Sequence, residues 1–211
     1  MRTFYIPEKY WKAFLLVCLV FAMWGLVWLA EYYAAAPTVS SDPYYSGSES
    51  GGMACFAVNV DWGEEYIPAM LDLFDEKGVQ CTFFLTGRWA ENHPDLAREM
   101  VRRGHELGNH AYSHKSPNGM TQAENQQEIQ RTQQAIKAAT GVETTLYAPP
   151  SGEREDQVLA AAVAESHHII LWSVDTIDWQ KPTPEAVSYT HLDVYKRQAY
   201  GYCLTWTAVP L

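Results

Sequence analysis

The sequence predicts an α/β domain of parallel strands and crossover helices, preceded by one transmembrane helix. From residue 53 onward, short apolar segments with β-branched residues alternate with segments of helical periodicity, a pattern typical of parallel strands joined by helices. Upstream, residues 13–30 read AFLLVCLVFAMWGLVWLA and contain no charged side chain. At a rise of about 1.5 Å per residue, this run nearly spans a hydrocarbon core of about 30 Å.

The flanks of the apolar run predict its orientation. Basic residues precede it and Glu31 follows it, so we expect the N-terminus in the cytoplasm and the rest of the chain outside the cell membrane. Residues 34–36 are small, which leaves a cleaved signal peptide as the alternative. Because the run exceeds the usual signal-peptide core of about 7 to 15 residues, the sequence favours an uncleaved single-pass anchor over residues 1–36.

A linker and one domain follow the predicted anchor. Residues 37–52, PTVSSDPYYSGSESGG, have the turn-rich composition of a flexible linker. The domain covers residues 53–186, with strands predicted at residues 53–60, 79–85, 105–109, 144–148 and 168–174. Helices are predicted at residues 66–77, 94–103, 121–140 and 157–164, and glycines end the first three of them.

Composition limits the partners and the role of the cysteines. The formal net charge of -10 excludes nucleic acid as a partner, because phosphate binding depends on clustered Lys and Arg. The four cysteines form no CxxC pair, which argues against a zinc ribbon. Cys55 and Cys81 are predicted to be small core residues, with a disulfide as the alternative.

The turns that follow the predicted strands contain the residues suited to chemistry. Barrels of alternating strands and helices place their functional groups at the C-terminal ends of the strands. Four such turns read NVDWGEE, NHAYSH, APPSGER and DTIDW. We therefore expect these turns to assemble one site.

A histidine pair in the second turn is the sharpest of these signals. His110 and His114 are four positions apart, so their imidazoles can converge on one metal ion, and nitrogen is a preferred ligand of zinc. Asp61, at the end of the first strand, would supply a third ligand and leave a position open for water. A pair that only caps a loop is the alternative.

In sequence order, the four turns resemble the motifs of the polysaccharide deacetylase family, also known as the NodB homology domain or carbohydrate esterase family 4. The resemblance covers residues 54–186 and implies a distorted (β/α) barrel, which is incomplete in this chain. It also implies metal-dependent hydrolysis of N-acetyl groups, with zinc as the expected divalent ion held by Asp61, His110 and His114. The Asp61-Trp62-Gly63 segment is similar to the D-x-x-W-G variant of sporulation-type members.

The match to the first and third family motifs is uneven. In the favoured alignment, Asp61 is the metal carboxylate, Asn59 stands where the family has its catalytic base, and Ala148 stands where an Arg holds that base. An amide accepts no proton at neutral pH. The alternative alignment makes Asp61 the base and leaves Glu64 or Glu65 to complete the metal site.

The remaining candidates lie in the third and fourth motifs. Backbone N–H groups of the turn at Pro150 and Gly152 could face a developing oxyanion. Tyr147 and Trp179 could stack on sugar rings, although both could equally be core aromatics. Asp175 and Asp178 resemble the fourth motif, in which one Asp supports the catalytic His of a fifth motif.

The end of the chain has a different origin in our interpretation. Back-translation of residues 189–195, continued into the next codon, gives DNA that is its own reverse complement, as expected for two joined sequencing-transposon ends. We therefore predict that residues 187–198 are translated adapter and that residues 199–211 are unrelated to the domain; a genuine edge strand is the alternative. On this prediction the chain lacks the fifth motif and is inactive.

The favoured function of the intact parent is hydrolysis of N-acetyl groups from a cell-envelope polysaccharide, such as peptidoglycan or a chitin-like glycan, outside the cell membrane. The alternative is a catalytically inactive, membrane-tethered protein that binds glycan or belongs to the sporulation envelope. Asn59 and Ala148 favour this alternative.

Overall fold

The structure is a computed structural model that describes residues 8–34, 39–47, 54–177, 180–181, 183 and 203–207. The chain forms two compact units, Met1–Thr38 and Val39–Leu211. In the first unit, helix α1 spans Glu8–Ala34, and its segment Tyr10–Leu29 is long and apolar enough to cross a membrane. A signal sequence would meet the same criteria, so membrane crossing stays a prediction.

The second unit contains one sheet in which every strand pairing is parallel. Its strand order is β5-β4-β3-β2-β1-β7-β6. The strands are β1 Cys55–Val60, β2 Thr82–Leu85, β3 Glu106–Asn109, β4 Leu146–Tyr147, β5 His168–Ile169, β6 Val174–Asp175 and β7 Cys203–Thr207. The helices of this unit are α2 Ile67–Lys77, α3 Gly87–Asn92, α4 Pro94–Arg102, α5 Gln122–Thr140 and α6 Asp156–Ala164. The predicted α/β class with a parallel sheet is confirmed.

Local signals set the helix boundaries as the sequence predicts. Helix α5 begins with a capping box, in which Thr121 accepts from the backbone of Glu124 and the Glu124 carboxylate binds back to Thr121. It ends at Gly141, which has a φ of 78°. Such a left-handed residue is the usual helix C-cap, because glycine adopts it without steric cost.

The two faces of β1 point into different environments. Val58 and Val60 pack into the main core with Leu71 of α2. Since successive side chains of a strand alternate, Ala57, Asn59 and the residue after the strand, Asp61, share the opposite face. Ala57 packs there with Phe84 and Ala148 in a small cluster, and this inner face therefore holds the polar residues of the first motif.

The cysteine predictions have mixed outcomes. Cys81 is buried in the main core, as predicted, and burial raises the pKa of its thiol to about 12. Cys55 is exposed, so its prediction as a core residue is wrong. It is the first residue of β1, where the strand has not yet entered the core.

The predicted strand at residues 168–174 is wrong, because the segment forms two strands on opposite edges of the sheet. Four residues separate Ile169 of β5 from Val174 of β6. Their five Cα steps reach at most about 19 Å, whereas seven flat strands spaced by about 4.8 Å would place the edges about 29 Å apart. The sheet must therefore curl, which brings the strand ends towards one another.

Part of the predicted flexible linker pairs with the sheet. The N–H of Tyr44 donates to the carbonyl of Ile169 at 2.8 Å, and the N–H of Leu171 donates to the carbonyl of Tyr44 at 2.8 Å. The ring of Tyr44 also lies edge-on to His168, with centroids 5.8 Å apart. These contacts cover the outer edge of β5, which would otherwise offer unpaired backbone groups.

The predicted adapter, residues 187–198, lies outside the described residues, so its origin stays a prediction. Downstream, the backbone of β7 lies between β1 and β6, in a register that pairs Cys55 with Cys203 and Asp175 with Thr205. Strand pairing is made by backbone groups. That residues 199–211 are unrelated to the domain stays a prediction.

The pairing of Tyr44 generates a prediction about stability. Tyr44→Pro removes the N–H that binds Ile169, and we expect it to lower the free energy of unfolding by about 1 to 3 kcal/mol. Urea unfolding of the full chain in detergent, followed by tryptophan fluorescence, measures this. Tyr45→Ala is the control and should stay close to wild type. Equal stability of Tyr44→Pro and wild type would show that the linker contact contributes nothing.

Candidate active site

The histidine pair lies directly after β3, where the structure brings both rings together. The rings of His110 and His114 meet edge to face, with centroids 4.9 Å apart. His110 Nδ1 lies 2.6 Å from the carbonyl oxygen of Ala148. Because that oxygen only accepts, Nδ1 carries the hydrogen and Nε2 keeps its lone pair. Burial, together with the neighbouring His114, lowers the pKa of His110 to about 4, so its imidazole is neutral at pH 7.

The loop that carries the histidines is strained and is held by hydrogen bonds. Ala111 and His114 have positive φ angles of 60° and 53°, which are unusual for residues with a side chain. One carboxylate oxygen of Glu128, on α5, accepts from the N–H groups of Tyr112 and Ser113 and from the Ser113 hydroxyl, at 2.7–3.1 Å. Helix α5 therefore fixes the backbone from which both imidazoles project.

The start of α3 docks onto the same loop. The N–H groups of Gly87 and Arg88 donate to the carbonyls of Ala111 and Tyr112, at 3.1 and 3.2 Å. A Cβ at Gly87 would lie 2.4 Å from the ring of Tyr112 and 3.0 Å from the backbone of Thr132. Only glycine permits this close approach.

Asp61 accepts three hydrogen bonds from two residues that follow β2. The hydroxyl of Thr86 and the Nε of Arg88 each donate to Asp61 Oδ1 at 2.8 Å, and Arg88 Nη2 binds the second oxygen. This paired geometry is the bidentate arrangement that guanidinium groups form with carboxylates. The hydrogen bond to Asp61 raises the pKa of Arg88, and the Asp61 side chain is only 14% exposed.

The predicted metal ligands Asp61, His110 and His114 fit a three-ligand centre only in part. The two imidazoles are close together, and one is oriented with a free Nε2. However, the carboxylate is already bound by Arg88 and Thr86. No group of three or more His, Cys, Asp or Glu that could hold a metal occurs among the described residues. As placed, these residues do not fit the expected ion, and the ligand set stays a prediction.

Asn59 and Ala148 lie on the inner face of the sheet. The side-chain oxygen of Asn59 is buried and has no hydrogen-bond partner among the described residues. Ala148 is 3% exposed and packs with Ala57 and Phe84. A buried acceptor without a donor is costly, so the Asn59 oxygen is an unsatisfied polar atom on this face. The assignment of Asn59 to the base position stays a prediction.

Two N–H groups of the third turn form hydrogen bonds within the turn itself. In the short 3-10 helix Pro150–Gly152, the N–H of Gly152 donates to Pro149 at 3.0 Å and that of Glu153 donates to Pro150 at 3.2 Å. These two donors are therefore not free to face an oxyanion. Gly152 has a φ of 68°, and a Cβ there would lie 2.8 Å from the indole of Trp172, so Pro150 and Gly152 are buried parts of the turn.

The structure describes two of the remaining four candidates in the third and fourth motifs. Tyr147 is 1% exposed and packs in a second core cluster with Ile169, which gives it the core role that the sequence left as an alternative. Asp175 Oδ1 accepts from the N–H of Ile177 at 2.9 Å, within its own turn. Asp178 and Trp179 lie outside the described residues.

Sequence reasoning missed three residues of the site and one exposed aromatic beside it. Thr86 and Arg88 follow β2, and the turn after this strand was not among the four predicted to form the site. Functional groups are expected at the C-terminal end of β2 as at those of the other strands. Glu128 lies on α5, and no local pattern connects it to the histidine loop. Trp62 is 44% exposed next to Asp61 and offers an aromatic face at this end of the sheet.

Comparisons with known proteins identify the family of this chain. A family model described as polysaccharide deacetylase matches residues 50–169. The chain is 36% identical over 150 residues to the uncharacterized protein YlxY of Bacillus subtilis, covering 71% of this chain and 47% of the relative. It is 32% identical over 124 residues to the peptidoglycan-N-acetylglucosamine deacetylase of Bacillus cereus, covering 59% of this chain and 45% of that protein. The chain thus spans about half the length of these curated relatives.

The solved structures include the crystal structure of a CE4 family pseudoenzyme from Bacillus anthracis. It superposes with a TM-score of 0.75 at 33% identity and covers 81% of this chain and 60% of that one. A mutant of the same pseudoenzyme is described as having restored enzymatic activity. The family model covers more than half of the residues. The chain therefore belongs to the polysaccharide deacetylase family.

Proposed function

We propose that this chain binds an N-acetylated polysaccharide of the cell envelope, such as peptidoglycan, at the C-terminal ends of its strands, and that it releases acetate slowly or not at all. The observation that carries this proposal is the Asn59 amide, whose buried oxygen has no partner among the described residues on the inner face of the sheet. The similarity to a family pseudoenzyme supports it.

The chemistry of Asn59 argues for weak hydrolysis. Attack of water on an acetyl carbonyl needs a group that accepts the water's proton, and loss of such a base costs on the order of 10² to 10⁴ in rate. The amide of Asn59 cannot accept that proton. Ala148 has an uncharged methyl side chain that cannot hold a base, and it is packed among apolar side chains. Asp61, two residues further along the chain, is paired with a guanidinium.

Metal-dependent hydrolysis of the N-acetyl group is the second candidate. The orientation of His110 favours it, since its Nδ1 donates to Ala148 and leaves Nε2 for a ligand bond, the arrangement found in metal-binding histidines. The similarity to a peptidoglycan-N-acetylglucosamine deacetylase also favours it. Zinc suits imidazole ligands. This candidate requires Asp61 to leave its present partners.

In this proposal, the aromatic face of Trp62 and the polar turns around it recognise the glycan. Trp62 is exposed beside Asp61, and an indole face can bury the apolar side of a pyranose ring. We also propose that α1 is an uncleaved anchor of the sporulation-type or cell-wall protein and that the domain lies outside the membrane, because basic residues precede the apolar segment.

The first prediction separates an enzyme from a pseudoenzyme. In the domain completed with the C-terminal part of a natural homologue, the wild-type residues should release little acetate from acetylated chito-oligosaccharide or peptidoglycan, and Asn59→Asp alone should help little. A lone carboxylate at this partly buried position has no cationic partner, so its pKa would rise. Asn59→Asp with Ala148→Arg should release more acetate than the two single changes combined, because the new pair couples.

The controls for this experiment are Asn59→Ala and circular dichroism of every variant, since Arg at the buried Ala148 can disturb packing. Fast acetate release by wild type, lost in Asp61→Asn without loss of bound metal, would identify Asp61 as the base and reject the proposal. Absence of both acetate release and glycan binding in every folded variant would reject both candidate functions.

The second prediction concerns the aromatic face. Trp62→Ala should weaken binding of the full chain to peptidoglycan or chito-oligosaccharide by about two- to tenfold, the range expected for loss of one stacked ring. Trp62→Phe should retain part of the affinity. Leu73→Ala, at a similarly exposed apolar residue on α2, is the matched control. If both alanine variants bind as wild type does, Trp62 is not part of the glycan surface.

The third prediction tests the proposed location. Protease added outside intact cells should digest the domain, because the basic flank before α1 is expected to stay in the cytoplasm. Immunoblotting against the domain measures this, with a cytoplasmic protein as the control for cell integrity. Full protection of the domain would place it in the cytoplasm and remove the envelope polysaccharide as its ligand.

A further inference from the structure

Arg88 binds the carboxylate of Asp61, which a metal centre would need. Its guanidinium binds both oxygens of Asp61, and the Thr86 hydroxyl takes a second bond to Oδ1. A carboxylate has about four lone-pair sites, and three donors already use this one. We propose that Arg88 is a built-in cation that holds Asp61 in an ion pair and keeps it from completing a three-ligand metal centre with His110 and His114.

The position of Arg88 is fixed by its backbone. The N–H of Arg88 donates to the carbonyl of Tyr112 at 3.2 Å, within the loop that ends in His114. The preceding residue, Gly87, packs directly under the ring of Tyr112. The guanidinium therefore starts from a point attached to the histidine loop and reaches across to Asp61.

The charges around this position favour the ion pair over a bound cation. Asp61 and Glu128 are the acidic groups that raise the pKa of Arg88, and hydrogen bonding to Asp61 is the main cause. A divalent ion at Asp61 would lie beside a permanent positive charge, which opposes its binding. Two imidazoles without a carboxylate remain, and they make a weaker site than three ligands.

The pair can also open. The Arg88 side chain is 48% exposed, whereas Asp61 is 14% exposed. The guanidinium can therefore turn into solvent without unpacking the core, while Asp61 stays on the inner face of the sheet. The apparent affinity for a metal ion is then reduced by the small fraction of molecules in which Asp61 is free. This inference is independent of which glycan the domain binds.

Zinc binding to the full chain in detergent tests the proposal, with a chromogenic zinc indicator as competitor. Arg88→Met removes the charge at similar length and should bind Zn²⁺ about tenfold more tightly than wild type, since a bidentate but partly exposed ion pair no longer competes. Arg88→Lys keeps a positive charge but cannot bind both carboxylate oxygens in a bidentate arrangement, so it should give an intermediate affinity for Zn²⁺. Arg98→Met, which removes an exposed arginine paired with Asp95 on α4, should match wild type.

Two further measurements make the result specific to this site. Adding His110→Ala to Arg88→Met should abolish the gain, and the visible spectrum of bound Co²⁺ should change between wild type and Arg88→Met as a third ligand joins. Equal zinc affinities of wild type and Arg88→Met, whether tight or weak, would overturn the proposal. If Arg88→Met does not fold by circular dichroism, Arg88→Lys decides: an affinity equal to that of wild type would also overturn it.

Discussion

The short connection between β5 and β6 constrains the shape of the sheet that carries the site. These strands lie on opposite edges of the sheet, and only four residues join them. A flat sheet would separate its strand ends, so the turns after β1, β2 and β3 would lie in a row. Curling places them around a common centre. The contacts between Asp61 and Arg88, and between His110 and Ala148, join the turns of neighbouring strands, β1 with β2 and β3 with β4.

Most of the fold could be predicted from the sequence where local signals decide structure. The capping box at Thr121 and Glu124 and the left-handed Gly141 mark α5 without reference to other elements. The segment HIILWSV, at residues 168–174, reads as one strand because its composition is uniformly β-prone. Its division into β5 and β6 is set by pairing with Tyr147 on one side and β7 on the other. Helix α3 has only six residues, too few for a periodic pattern.

The site could be predicted in its residue types but not in its pairings. The spacing of His110 and His114 identified two groups that do lie together. The partner of Asp61 could not be inferred, because Arg88 reaches it only when Gly87 packs under Tyr112. The role of Tyr147 was open in the sequence, since a tyrosine at a strand end can face either a cleft or a core. Its placement among Ile129 and Ile169 was decided by the packing of α5 and α6.

The backbone pairing of Tyr44 has a mechanical consequence. In a chain held at its N-terminal helix, tension on the domain would travel along the backbone and enter the sheet at the outer edge of β5. The two hydrogen bonds of Tyr44, with Ile169 and Leu171, would meet that force first. Because they are few and lie at an edge, they would open one after the other and lengthen the tether before β5 itself is strained. The segment would then act as a short extensible stop between the pulled N-terminal helix and the sheet that carries the histidines.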